Sequence, residues 1–468
     1  MASPLEPGSE GAGAAEGEAA PARSVTLAQV LALAWPAIGE MVLVMMAIIA
    51  DTAFVARLGA QALSAVALGG QVLFSLAFFL GGVGVGVTVL VARARGAGEV
   101  RQARRAAAEG VRLSVLLGGV LAAVAFGSAP AVYRWAGLGR EVTALGQVYL
   151  RIAALGSFFF LPTLAINGAL RGAGNTRAAF AATGLTNLVN IAGDYLLIFG
   201  IGPFPRLGVA GAAWALVLGE AVGLGAAVVF WRREEGIWPG RDLWRSDWRM
   251  AVLLARIGLP AGLETLILDG ARSVTLFAVA RLGAVAVAAH QVALSVESLA
   301  FMPGYGLAIA ASVLMGESLG LGSEARARSA VRQAWRLAVG WMALLGGAFL
   351  LVPRLLLGLF TTQKEVVELG ASCLFFAAFT EPFIGWAEVI SGGLRGAGDT
   401  RPPLLITAAG AWLWRVPMTW LGVELWGWSL PALWAVVLVE WVVRALLTTA
   451  YYRTGRWTRS LAAPGGTG

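Results

Sequence analysis

Two aspartates and an asparagine stand out within blocks of apolar residues. Asp51 lies in the first block, and Asn190 and Asp194 lie in the fifth, where the i, i+4 spacing puts both on one face of a helix. Two carboxylates and an amide oxygen form an all-oxygen set that suits H⁺ or a hard cation such as Na⁺. The three residues therefore predict a cation-binding site. The alternative is that they only hold helices together through hydrogen bonds.

Other ionisable residues also fall within apolar blocks. Such a group at the centre of a bilayer costs about 3 kcal/mol on insertion scales, so each is a candidate for function. The candidates for a cavity or substrate site are Glu40, Glu264, Asp269, Glu297, Glu388 and His290. Asp269 and Arg272 are spaced i, i+3, which predicts an ion pair. His290 titrates near neutral pH and could relay protons, although a lone histidine on an apolar helix more often only packs.

The composition identifies the chain as an integral membrane protein. Apolar residues make up 58% of its 468 residues and charged residues only 13%, against about 25% in ordinary soluble domains. Twelve apolar blocks follow residue 27, and about 20 apolar residues suffice for a helix to cross the hydrocarbon core. Because each span must satisfy its own backbone hydrogen bonds in lipid, the prediction is an all-α protein with twelve transmembrane helices.

Basic residues set the expected orientation. Loops after even-numbered spans, together with the C-terminal tail, hold 20 basic residues, and loops after odd-numbered spans hold 7. Positive loops remain in the cytoplasm, so we expect both termini to be cytoplasmic. The net charge of +8 is explained in this way and does not indicate a nucleic-acid partner. The expected location is a bacterial inner membrane.

An internal repeat relates the two halves of the chain. Leu-Arg-Gly-Ala-Gly-Asn-Thr-Arg at 170–177 recurs as Leu-Arg-Gly-Ala-Gly-Asp-Thr-Arg at 394–401, an offset of 224 residues. The same offset pairs Pro36 with Pro260 and Glu40 with Glu264. An even number of spans per copy gives parallel repeats, which predicts two pseudo-symmetric six-helix bundles. The expected boundaries are a disordered tail at 1–24, a lobe at 25–231, a cytoplasmic linker at 232–249, a lobe at 250–455 and a tail at 456–468.

The repeat separates two kinds of acid. Asp51 and Asp194 correspond to Thr275 and Met418, so the predicted cation site belongs to the first lobe only. Glu40 and Glu264 are duplicated, and they either enter a central cavity from both lobes or serve packing. The duplicated pair Glu220 and Glu440 is interpreted as structural. The arginines of the Leu-Arg-Gly-Ala-Gly segments are expected to anchor turns at the membrane surface.

These motifs resemble the MATE (multidrug and toxic compound extrusion) transporters. The resemblance covers about residues 27–455 and includes Arg-Leu-Gly-Ala after the first span and Ala289-His290-Gln291 in the eighth. It implies export of amphipathic organic cations in exchange for H⁺ or Na⁺. The family pattern builds its coupling site on an Asp of helix 1 and Asn-x-x-x-Asp of helix 5, which Asp51, Asn190 and Asp194 match. The threonine that some relatives carry in helix 6 is not found at Gly211-Ala212-Ala213, and an acid late in helix 7 is replaced by Ser273.

Three other functions were weighed. A flippase for lipid-linked precursors would need a basic cavity, and only Arg272 and Arg415 are counted within spans. An intramembrane enzyme would need a metal site or an activated nucleophile, and one His with one Cys offers neither. A purely structural protein would not explain acids confined to one lobe. We therefore predict a monomeric antiporter without a cofactor, in which the two lobes rock around a central cavity.

Overall fold

The computed structural model describes residues 24–240, 243 and 245–460, and helices are the only regular structure in this part of the chain. The first six helices are α1 Leu27–Ala56, α2 Ala60–Gly96, α3 Val100–Trp135, α4 Arg140–Gly172, α5 Thr176–Phe199 and α6 Val209–Arg233. The next five are α7 Trp248–Ala280, α8 Ala284–Gly320, α9 Glu324–Leu351, a short α10 Pro353–Gly358 and α11 Lys364–Gly396. The chain continues with α12 Arg401–Ala408, a π-helix Ala409–Arg415, α13 Val416–Glu424, α14 Leu430–Arg453 and a 3₁₀ turn Arg456–Arg459.

Ten of the described helices are long and apolar enough to cross a membrane. The eleventh span is α5, which is less apolar because it carries Asn187, Asn190 and Asp194. The twelfth is the interrupted helix at 401–424, where the π-helix joins α12 to α13. The prediction of an all-α chain with twelve spans is confirmed. The predicted N-terminal tail, apart from Ser24, and residues 461–468 lie outside the described residues.

The two halves repeat one six-helix unit. Helices α2 and α8 both contain 37 residues, and α4 and α11 both contain 33. The repeated Leu-Arg-Gly-Ala-Gly segments end α4 and α11 in tight turns, in which Gly174 and Gly398 adopt φ values of 81° and 82°. Only glycine reaches this left-handed region without strain, so the turns need these residues.

The lobes meet along α1 and α2 of the first and α7 and α8 of the second. The contact is backbone against backbone at several glycines: a Cβ on Gly82 would lie 2.8 Å from the nitrogen of Gly262, and one on Gly306 would lie 2.8 Å from that of Ile38. These contacts, like the others between lobes at described glycines, lie in the half where α1 and α7 begin and α2 and α8 end. The lobes are therefore closed against each other in that half.

The connector between the lobes is attached to the first lobe. The indole nitrogen of Trp231 donates to the carbonyl of Ile237, and the backbone nitrogen of Asp247 donates to Glu109 of α3 at 2.9 Å. Arg112, also on α3, donates to the carbonyl of Leu243 at 2.9 Å. The described part of the predicted linker is thus held on the first lobe until α7 begins.

Candidate coupling site

The last turns of α1 and α5 bring Asp51 and Asp194 together. The two carboxyl groups lie within hydrogen-bonding distance of each other, and Asp194 is only 1% exposed. Apart from this contact between the two acids, one oxygen of Asp51 and both oxygens of Asp194 are buried without a hydrogen-bond partner among the described residues. The buried amide nitrogen of Asn190, one turn earlier on α5, also has none. The structure therefore collects the three residues that the sequence singles out.

Two carboxyl groups at this distance cannot both stay ionised without a compensating charge. In the described part of the chain, no ion pair includes Asp51 or Asp194. At the equivalent place in the second lobe stand Thr275 and Met418, which carry no charge. The pair can thus bind a proton or a cation, and the second lobe has no counterpart at that position.

Small residues of α6 allow the close approach of α5. A Cβ on Gly219 would lie 3.0 Å from the Cβ of Asn190, and one on Gly193 would lie 2.9 Å from the Cβ of Ala215. The stretch Gly211-Ala212-Ala213 continues this contact toward the end of α5 and contributes no side-chain oxygen. The predicted ligands of a cation are therefore limited to Asp51 on α1 and to Asn190 and Asp194 on α5.

Tyr149 of α4 belongs to the same site, although the sequence analysis does not select it. Its side chain is buried and lies close enough to Asp51 and Asp194 to interact electrostatically with both. The only signal in the sequence is a phenol within an apolar block, which also describes many interfacial tyrosines. A hydroxyl at this place can donate to a carboxylate or accept from a carboxylic acid.

The duplicated glutamates each bind an arginine within their own lobe. Glu40 accepts from Arg171 at 2.9 and 3.1 Å and from the hydroxyl of Thr183 at 3.1 Å. Glu264 accepts from Arg395 at 3.0 Å and from Thr407 at 3.1 Å. The sequence left two roles open for Glu40 and Glu264, entry into a cavity or packing, and these contacts favour packing. The expectation that the repeated arginines anchor turns at the membrane surface is wrong, because both reach inward to neutralise a buried acid.

Among the described residues, a longer network continues in the second lobe only. Arg395 also donates to Glu388 at 3.2 Å, and Arg444 of α14 lies 3.8 Å from both Glu388 and Glu440. The guanidinium of Arg415, in the π-helix, donates to Glu440. Arg444 is a buried base within a span, so the count of only Arg272 and Arg415 is wrong. The two lobes therefore differ in their buried charge.

The remaining predicted residues lie around α7 and α8. Asp269 and Arg272 form the ion pair that their spacing predicts, at 3.8 Å. The ring of His290 contacts that of Trp434, with centroids 5.6 Å apart. Glu297 lies near Glu381 of α11, a fully buried acid neither of whose oxygens is hydrogen-bonded to a described residue. From its sequence alone, Glu381 is a candidate only as an ionisable residue within an apolar block. Within the described residues, no three His, Cys, Asp or Glu side chains cluster as a metal site.

Comparison with known proteins gives the same division of the chain. The MatE family pattern matches twice, at residues 36–196 and 260–421, which corresponds to the internal repeat. A probable multidrug resistance protein NorM from Thermotoga maritima is 32% identical over 435 residues, covering 92% of this chain and 93% of its own. One from Deinococcus radiodurans is 32% identical over 378 residues, covering 77% and 80%.

Solved structures show the same fold. A transporter of the MOP superfamily from Pyrococcus furiosus superimposes with a TM-score of 0.85 at 23% identity, covering 93% of this chain and 97% of its own. A multidrug resistance MATE family transporter in an outward-facing conformation gives a TM-score of 0.84 with the same identity and coverage. The family pattern matches twice, a relative is similar over nearly its whole length, and solved members share the fold. The chain therefore belongs to the MatE family.

Proposed function

We propose that this protein is a secondary antiporter that exports amphipathic organic cations and drugs across the bacterial cytoplasmic membrane in exchange for protons. Membership of the MatE family and the names of the NorM relatives support the drug-export part of the proposal. The proposal of coupling rests on a single observation: Asp51 and Asp194 face each other, with Asp194 and one oxygen of Asp51 buried, and no cationic side chain among the described residues is paired to either. The transporter acts as a monomer in this proposal.

The proton is favoured over Na⁺ as the coupling ion. Two carboxyl groups within hydrogen-bonding distance share a proton readily, as in a carboxylic acid dyad. A hard cation such as Na⁺ is held by several oxygen ligands, and Asp51, Asp194 and Asn190 are the three side chains predicted to supply them on α1 and α5. The neighbouring stretch of α6 adds none.

Coupling works through one conformational equilibrium. If the termini are cytoplasmic, as the basic loops predict, the half in which the lobes are closed is the cytoplasmic half, and this conformation would be closed to the cytoplasm. A proton from outside neutralises the Asp51–Asp194 pair, and the loss of charge lets α1 repack. The site then has lower affinity for an organic cation, which leaves to the outside. Binding of the proton thus weakens binding of the organic cation without direct contact between the two.

The charges of the second lobe do not favour the flippase alternative. A cavity for lipid phosphates would need free basic groups. Arg395, Arg415 and Arg444 each lie beside at least one glutamate, in hydrogen bonds or at 3.8 Å. The buried bases are therefore compensated and do not form a positive surface.

Efflux from proteoliposomes tests the proposal. Ethidium transport is measured with a pH gradient alone and with a Na⁺ gradient alone, for the wild type, Asp51→Asn and Asp194→Asn. We expect transport under the pH gradient in the wild type and its loss in both variants. Transport driven only by Na⁺ would overturn the choice of ion. Full transport in both variants would overturn the assignment of the site.

A further inference from the structure

Glu220 of α6 has a repeat equivalent with different surroundings. The segment from Trp214 to Glu220 recurs 220 residues later from Trp434 to Glu440, so both carboxyl groups occupy the last helix of a lobe. Glu440 accepts from Arg415 and lies 3.8 Å from Arg444, within a charged network. The structural role expected for this pair of acids therefore fits the second copy.

The first copy has no such partner. Leu224 stands where the second copy has Arg444, and no hydrogen bond or ion pair to Glu220 occurs in the described part of the chain. The residue is nevertheless only 8% exposed. An ionised carboxylate without a counter-charge is strongly disfavoured in apolar surroundings, so this carboxyl group favours its protonated form.

A crevice with room for water lies beside the carboxyl group. Glu220 lines a space of about 10 Å³ between α2, α4 and α6, which is room for about one water molecule. Ser157 of α4 and Phe74 of α2 line it too, and none of the other lining residues carries a charge. A water molecule in this crevice can carry a proton to or from Glu220 without competition from another titratable group.

The position of Glu220 connects it to the aspartate pair. The preceding residue, Gly219, packs on Asn190, one turn of α5 before Asp194. Because α6 runs back along α5, Glu220 lies between the level of Asp194 and the half in which the lobes are closed. Farther into that half, polar groups continue within the same lobe: the amide of Asn167 donates to Thr183 at 3.3 Å, and Thr183 donates to Glu40.

We propose that Glu220 is a second proton-binding group of the first lobe, which takes the coupling proton from the Asp51–Asp194 pair and passes it toward the half where α1 begins. Glu220 first releases its own proton toward that half, and its carboxylate then gains a proton as the aspartate pair loses one. The charge of the lobe therefore changes only when a proton enters from water or leaves to it. The inference rests on the proton coupling proposed above. It adds that Glu220 is needed for net proton movement but not for substrate binding.

The experiment compares two kinds of transport in proteoliposomes that contain the full-length protein. Ethidium efflux driven by a pH gradient requires net proton movement, whereas exchange of ethidium for ethidium at equal pH does not. In Glu220→Gln we expect driven efflux to fall about 100-fold, a loss in the range for a positioned proton-transfer group. Ethidium binding and ethidium exchange should remain, and Glu220→Asp should restore driven efflux.

Leu216→Ala is the matched control, because it changes the same crevice without removing a polar or titratable group, and it should leave driven efflux unchanged. Driven efflux at the wild-type level in Glu220→Gln would overturn the inference while leaving the aspartate pair in place. Parallel loss of binding, exchange and driven efflux in that variant would also overturn it, because a structural role affects all three. Failure of the proposed function itself is recognised separately, by full driven efflux in both Asp51→Asn and Asp194→Asn.

Discussion

Gly96 of α2 and Gly320 of α8 cross with their backbones in contact: a Cβ on Gly320 would lie 2.9 Å from the Cα of Gly96. The offset of 224 residues relates the two glycines, and it also relates Arg93 to Glu317, whose carbonyl oxygens lie against Gly320 and Gly96 respectively. The contact therefore lies on the pseudo-twofold axis between the lobes, at the end where they are closed. Any side chain there must push the lobes apart.

The first prediction concerns this crossing. Gly96→Leu should shift the protein toward conformations that are open at the end where α2 and α8 finish. Overpacking of this kind costs about 1–3 kcal/mol, which is about a 5- to 150-fold change in a two-state equilibrium. Distances between spin labels placed at the two ends of the lobes would measure the shift.

Gly340→Leu, on α9, is the matched control because nothing lies within 4 Å of a Cβ at that position. It should leave the distances between labels unchanged. Equal distance distributions in Gly96→Leu and the wild type would mean that this contact does not hold the lobes closed.

Much of this architecture follows from the sequence, because hydrophobic block length and the repeat register are properties of the chain itself. The i, i+4 spacing on α5 places Asn190 and Asp194 on one face in any helix, and the family pattern then adds Asp51. The partners of the buried glutamates are different. Arg171 lies 131 residues after Glu40, and no local spacing relates positions so far apart.

A signal for that contact was nevertheless present in the repeat. Arg395 also lies 131 residues after Glu264, so the same acid and base recur at the same separation in both copies. Arg444 had no such signal, because Leu224 is its counterpart. The proximity of Tyr149 to the two aspartates is visible only in the folded chain. Contacts that exist in one lobe alone are therefore the part of the site that could be identified only from the structure.

The second prediction compares the two glutamate–arginine pairs. Glu40→Gln leaves the largely buried Arg171 without its one acidic partner among the described residues, and breaking such a pair costs about 3–5 kcal/mol. Glu264→Gln should cost less, because Arg395 keeps its hydrogen bond to Glu388 at 3.2 Å. The melting temperatures of the purified variants in detergent would give the order. An equal loss in the two variants would show that Glu388 does not compensate for Glu264.

The third prediction concerns pH and substrate affinity. If protonation of the Asp51–Asp194 pair opposes binding of an organic cation, the Kd for ethidium must rise as the pH falls. By linkage, the slope of log Kd against pH is minus the number of protons displaced, about −1 here. Asp194→Asn should flatten this dependence, and fluorescence titration across pH would show it. A slope in Asp194→Asn equal to that of the wild type would place the opposing proton elsewhere.

The fourth prediction uses the contact between α5 and α6. A Cβ on Gly219 would lie 2.9 Å from the backbone oxygen of Thr186 and 3.0 Å from the Cβ of Asn190, so Gly219→Val must move one helix away from the other. Because Asn190 and Asp194 share a face of α5, that movement displaces Asp194 from Asp51. Gly225→Val changes the same helix where nothing lies within 4 Å, which makes it the matched control. We expect efflux driven by a pH gradient to fall in Gly219→Val and to persist in Gly225→Val. Equal efflux in the two variants would mean that the spacing of the aspartates does not depend on this contact.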